Sequence, residues 1–105
     1  MDLVDLLRQE EGKTLEFKRD LSAAENVLRT IVAFANTAGG IVLVGVEDKT
    51  KNVRGVRDVL AAEERLANLV SDNIRPLVLP DIQVLSWRRM QVLAVRIYPS
   101  PSRPH

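Results

Sequence analysis

The run Ala35-Asn36-Thr37-Ala38-Gly39-Gly40 closes a strongly apolar helical stretch and opens an apolar strand, Ile41 to Val46, that ends on Glu47-Asp48. Adjacent glycines admit positive φ and leave their N–H groups unobstructed. A helix can therefore turn directly into a strand there while an outside group approaches the main chain. The junction is a fold signal and a candidate ligand contact at once.

Periodicity on either side extends the reading. Leu3, Leu6 and Leu7 fall at helical spacing in a short N-terminal helix, and Thr14 to Lys18 reads as a strand. Ser22 followed by Glu25 forms a capping-box pattern ahead of an apolar stripe of Val27, Leu28, Ile31, Val32, Phe34 and Ala35, which predicts the core helix. Ile41 to Val44 is continuously aliphatic, as in a strand buried on both faces. Asp58 is placed to cap a third helix carrying Val59, Ala62, Leu66, Leu69, Val70 and Ile74, which Pro76 ends. Asp81 to Trp87 and Gln91 to Tyr98 alternate around Arg88-Arg89-Met90 as a β-hairpin. The order α-β-α-β-α-β-β predicts an α+β fold, a mixed sheet packed by two main helices. One domain is expected over residues 1–98, followed by a Pro- and Ser-rich tail at 99–105.

A chain of 105 residues supports a single core with little surplus. No apolar run approaches the roughly 20 residues that span a bilayer. The start, with Asp2 and Asp5, lacks the basic region of a signal peptide, so a cytoplasmic protein with no membrane partner is expected. Without cysteine there are no disulfides or thiolate metal sites, and the single histidine, His105, is terminal. The net charge of +1 argues weakly against a nucleic-acid partner, but its distribution argues for one. Lys49, Lys51, Arg54 and Arg57 crowd one turn, and Arg88-Arg89 follows Trp87 at the hairpin tip, where an aromatic face flanked by cations suits a nucleic acid. The plainer reading is that these cations solvate two turns.

Three blocks, Glu11 with Glu16-Phe17-Lys18, Phe34 to Gly40, and Gly45 to Asp48, stand in an order and at separations that resemble the Schlafen Alba-type domain. The resemblance implies a nucleic-acid-binding domain, for DNA or RNA, like the N-terminal part of bacterial and archaeal proteins described as transcriptional regulators. Catalytic members use acidic residues at positions resembling Glu11, Glu16 and Asp48, so the runner-up is a nuclease in which these three hold Mg²⁺ or Mn²⁺. Otherwise no cofactor is expected. In the structural alternative, Glu16 pairs with a nearby cation and Asp48 caps a turn. Lys18 shares a strand face with Glu16. Asn36 and Thr37, beside Gly39 and Gly40, either cap the helix or reach a phosphate. The zinc motif of some Schlafen proteins is excluded by the absence of cysteine. An ATPase is excluded because there is no Gly-x4-Gly-Lys-Ser/Thr loop, and the glycine pair follows a helix where a phosphate loop precedes one. The family has a further strand after a Pro-containing segment. The sheet is thus expected to be one strand short, with an open edge that a second copy could cover; a dimerisation module is the third reading.

Overall fold

The computed structural model describes residues 1–76 and 78–101. Its elements run α1 (Leu3–Arg8), β1 (Leu15–Lys18), α2 (Ala24–Ala35), β2 (Gly40–Val44), α3 (Val59–Asn73), β3 (Asp81–Trp87) and β4 (Met90–Ile97), the order expected. They build a mixed four-stranded sheet, β1-β2-β4-β3, in which β1 and β2 are parallel and the other pairs antiparallel. The register pairs Phe17 with Leu43, Leu43 with Ala94, and Trp87 with Met90. Of the expected tail, residues 102–105 lie outside the described residues.

β2 and β4 are nearly all aliphatic because both of their faces are covered. Val42, Val44, Leu93, Val95 and Ile97 point to a core closed by Val27, Ile31 and Phe34 of α2 and by Leu66 and Val70 of α3. Leu43, Val46, Val92 and Ala94 point to the opposite face, where Leu3 and Leu6 of α1 cover them together with Leu15 and Phe17. The helices thus divide two to one across the sheet.

The junction at Gly39-Gly40 is explained by packing. Gly39 lies at φ +79, and its N–H closes α2 by donating to the Phe34 carbonyl at 2.9 Å. A Cβ there would stand 2.6 Å from the Ile97 carbonyl oxygen, and one on Gly40 would stand 2.8 Å from the Phe34 ring. The helix end therefore lies directly on β2 and β4. Ser100 ties the segment after β4 to the same place by donating its N–H to the Ala35 carbonyl at 2.8 Å.

One helix start differs from expectation. Ser22 does not cap α2: its N–H and its hydroxyl both donate to Asp20 Oδ1, at 3.0 and 2.6 Å, and the helix begins after Ala23 with no side-chain cap. An aspartate two residues upstream forms an Asx-turn that competes for the serine. Asp58 does cap α3, accepting from the Ala61 N–H at 3.1 Å. The two sheet edges are also unlike each other. Along β1, Gly12 N–H donates to the Leu15 carbonyl at 3.0 Å, and Glu11 Oε2 accepts from the Phe17 N–H at 2.9 Å. No such covering pairs with β3 among the described residues.

Candidate nucleic-acid interface

Parallel pairing of β1 with β2, and antiparallel pairing of β4 with both neighbours, brings the last residues of β1, β2 and β3 and the first of β4 to one end of the sheet. The loop between β2 and α3 is laced onto that end. Gly45 N–H donates to the Lys18 carbonyl at 2.8 Å, and the N–H groups of Arg54 and Gly55 donate to the Gly45 carbonyl at 2.8 and 3.0 Å. Val56 N–H then reaches the Gln91 carbonyl at 2.6 Å. The hairpin loop Arg88-Arg89 lies at this end too, with both residues at positive φ, 48 and 67. Two-residue loops of this kind favour Asn-Gly because that pair tolerates left-handed backbone. Here the positions are arginine, and the Arg88 guanidinium stands 4.6 Å over the Trp87 ring.

Beside the loop between β2 and α3 lies an open cleft of about 650 Å³. Its apolar floor is Leu21, Val44, Val56, Ala61 and Ala62, and Arg19, Arg54, Arg57 and Arg65 stand around it with one carboxylate, Asp20. Arg54 Nε donates to Glu47 Oε1 at 2.8 Å, and Thr50 donates to the other oxygen of that carboxylate at 2.9 Å. These two hydrogen bonds, Arg54's first, hold the Glu47 carboxyl below its ordinary range. Arg19 lies 3.7 Å from Asp20. Arg57 and Arg65 form no ion pair among the described residues. Positive charge is left over in the cleft.

A second groove adjoins the first through Arg19 and Asp20, which line both, and it carries Lys18, Asp48 and Lys49. Lys51 takes another course. At φ 59 it turns to the α1 side of the sheet, where Nζ donates to the carbonyls of Leu7 and Gln9 at 3.1 and 2.8 Å and lies 5.9 Å from the Phe17 ring. Its charge neutralises the unpaired carbonyls that end a helix.

Of the three acidic residues of the sequence blocks, Glu11 acts on Glu16 more strongly than Asp48 does. Glu16 lies 3.8 Å from Lys18 Nζ. Burial first, then the charge of Glu11 and a hydrogen bond with it, push the Glu16 carboxyl up; Asp48 adds to this and Lys18 opposes it. Glu11 is already engaged with the Phe17 N–H. Among the described residues no three acidic or histidine side chains are disposed to hold a metal ion, so this donor set does not fit Mg²⁺ or Mn²⁺ as it stands. Asn36, Thr37, Gly39 and Gly40 are at the other end of β2, roughly 15 Å from the basic loop at 3.3 Å per residue. There the Thr37 hydroxyl donates to the Ala33 carbonyl at 2.7 Å.

The sequence matches the Schlafen AlbA_2 family over residues 11–105. The chain belongs to that family. Its fold is similar to that of the N-terminal domain of a RecG-related protein from Nitrosomonas europaea, named for an ATP-dependent DNA helicase. The TM-score is 0.79 at 23% identity, covering 94% of this chain and 74% of that one. It is also similar to the DIP2311 protein from Corynebacterium diphtheriae, with a TM-score of 0.69 at 22% identity, covering 93% of this chain but 24% of that one. In this Schlafen AlbA_2 chain, α1 lies ahead of the matched residues. No helix among the described residues is long and apolar enough to cross a membrane.

Two cleft residues of this Schlafen AlbA_2 chain escape sequence reasoning. Arg19 directly follows Lys18, outside any motif block, and Arg65 follows Glu63-Glu64 on α3. A signal for Arg65 exists: it follows Ala61 by four and Ala62 by three, so it shares their side of the helix, a small-residue side that leaves room for a cleft.

Proposed function

We propose that the chain is a nucleic-acid-binding domain, DNA being the favoured ligand and a transcriptional regulator its setting, and that the phosphate backbone lies along the basic end of the sheet. One observation carries this reading. Arg19, Arg54, Arg57 and Arg65 surround one cleft, and the Arg88-Arg89 loop occupies the same sheet end, although the net charge of the chain is only +1. Concentrated cations release condensed counterions from a polyanion, which a dispersed set of equal size does less well. Membership of the family and a neighbour named for a DNA helicase agree with the reading. Lys18 and Lys49 extend the track from the second groove, and a second copy paired through the β3 edge would double it.

The test is a salt titration of binding to duplex and single-stranded oligonucleotides. Each phosphate contact contributes a slope of roughly −0.9 for duplex or −0.7 for single strands in log affinity against log salt. Arg57→Ala, Arg65→Ala and Arg89→Ala should each flatten the slope by about one contact. Absence of binding at about 50 mM salt, or slopes untouched by all three changes, would defeat the proposal.

The nuclease reading keeps one supporting observation, that the charges of Glu11 and Asp48 both act on the Glu16 carboxyl. Incubation with labelled RNA and DNA in Mn²⁺ or in EDTA separates it from binding alone. Metal-dependent products that vanish with Glu16→Gln would put cleavage first.

A further inference from the structure

We infer that the arginine cleft takes a phosphomonoester attached to a nucleoside: the phosphorylated end of a nucleic-acid strand or, sharing that chemistry, a free nucleotide. The strand-end form rests on the proposed nucleic-acid function; the free-nucleotide form does not.

Charge, shape and lining point the same way. Of the four arginines, Arg54 is matched by Glu47 and Arg19 by Asp20, which leaves Arg57 and Arg65, two positive charges without an ion-pair partner among the described residues. A phosphomonoester carries about −1.5 to −2 near neutral pH, whereas each internal phosphodiester of a strand carries one negative charge. The surplus matches the monoester.

The cleft also gathers its charges from several elements. The arginines come from three directions: Arg19 from the segment after β1, Arg54 and Arg57 from the loop after β2, and Arg65 from α3. Convergent guanidiniums suit the several oxygens of a terminal phosphate, which accept bidentate hydrogen bonds from them. A volume of about 650 Å³ falls in the range of small-ligand sites and has room for one nucleotide. Between the arginines the floor is largely apolar, Leu21, Val44, Val56, Ala61 and Ala62, and offers a surface for a sugar or base. Selectivity for the phosphate with indifference to the base is the expected behaviour.

The experiment compares one fluorescent single-stranded oligonucleotide carrying a 5′-phosphate, a 3′-phosphate or hydroxyls at both ends, together with nucleoside 5′-monophosphates and inorganic phosphate as competitors. A preference for either phosphorylated end of roughly tenfold is expected, as for loss of a charge-assisted contact. Arg57→Ala and Arg65→Ala should erase the preference, and Arg29→Ala, on α2 away from this cleft, should keep it. Both cleft arginines are exposed, so their removal leaves the core untouched. Competition by a nucleoside monophosphate as strong as that of the phosphorylated strand assigns the cleft to free nucleotides and upholds the inference. Equal binding of all three strands with no competition by nucleotides overturns it while leaving backbone binding intact. Nucleotide binding without any strand binding removes the proposed function and keeps the inference. No binding of strand or nucleotide removes both.

Discussion

Arg88 and Arg89 occupy backbone positions that suit asparagine and glycine, so replacing them with Asn-Gly should stabilise the fold while weakening the interface. A side chain other than glycine in the left-handed region costs roughly 1–2 kcal/mol, and two such residues about 2–4 kcal/mol. Against this stand the stacking of Arg88 on Trp87, about 0.5–1 kcal/mol at an exposed site, and the extra unfolded-state entropy of a new glycine, about 0.5–1 kcal/mol. The balance centres on a gain of about 1.5 kcal/mol, equivalent to a rise in Tm of roughly 6–12 °C for a domain of this size. Urea denaturation reads the first effect and a salt titration of duplex binding the second, where loss of two cations should flatten the slope by about 1.8. A double variant no more stable than the parent would refute the assignment of strain to the loop. A stabilised variant with an unchanged salt slope would refute the assignment of the two arginines to the nucleic-acid interface.

Three further outcomes follow from the packing. Lys51→Met removes the amine that serves the Leu7 and Gln9 carbonyls, so it should cost about 1–2 kcal/mol by denaturation and leave the salt slope of binding alone; a flattened slope at parental stability would make Lys51 a phosphate ligand instead. Glu16 has a raised carboxyl pKa, so its ionisation opposes folding above the ordinary carboxylate range and not below it. Glu16→Gln should therefore raise Tm at about pH 7 and lose that advantage as pH falls toward about 4, and an advantage independent of pH would contradict the cause given. Gly40→Ala drives a methyl into the Phe34 ring and should cost about 1–3 kcal/mol, recovered in part by Phe34→Leu; parental stability of the single variant would show that the ring yields.

The order of elements was legible because helical and strand periodicities differ and the breaks between them carry glycine, proline or a capping aspartate. Asp58 caps as its position implies, whereas Ser22 does not, because Asp20 engages both its N–H and its hydroxyl. Hydrophobic spacing says which side of α1 is buried but not which face of the sheet it covers. That is settled by tertiary packing against Phe17 and Leu43. The same limit governs the site. Lys51 and Arg54 are neighbours in sequence, yet the positive φ at Lys51 sends the lysine to α1 while the arginine turns to the cleft. Arg19 and Arg65 are far apart in sequence and meet only because β1 ends where α3 passes over the sheet. Glu11, Glu16 and Asp48 are grouped by the resemblance alone; the charges of Glu11 and Asp48 both act on Glu16, but among the described residues the three are not disposed around a metal site.

The covering of β1 by Glu11 and Gly12 gives the sheet a valence of one. Strand addition needs free amides and carbonyls, and at this margin the Phe17 amide and the Leu15 carbonyl are already bonded within the molecule. A sheet open at both margins could add copies without end, as fibres do. Among the described residues β3 is the margin left open, so if copies pair through main-chain bonds, that pairing would end at two and growth of a filament by that route would be blocked.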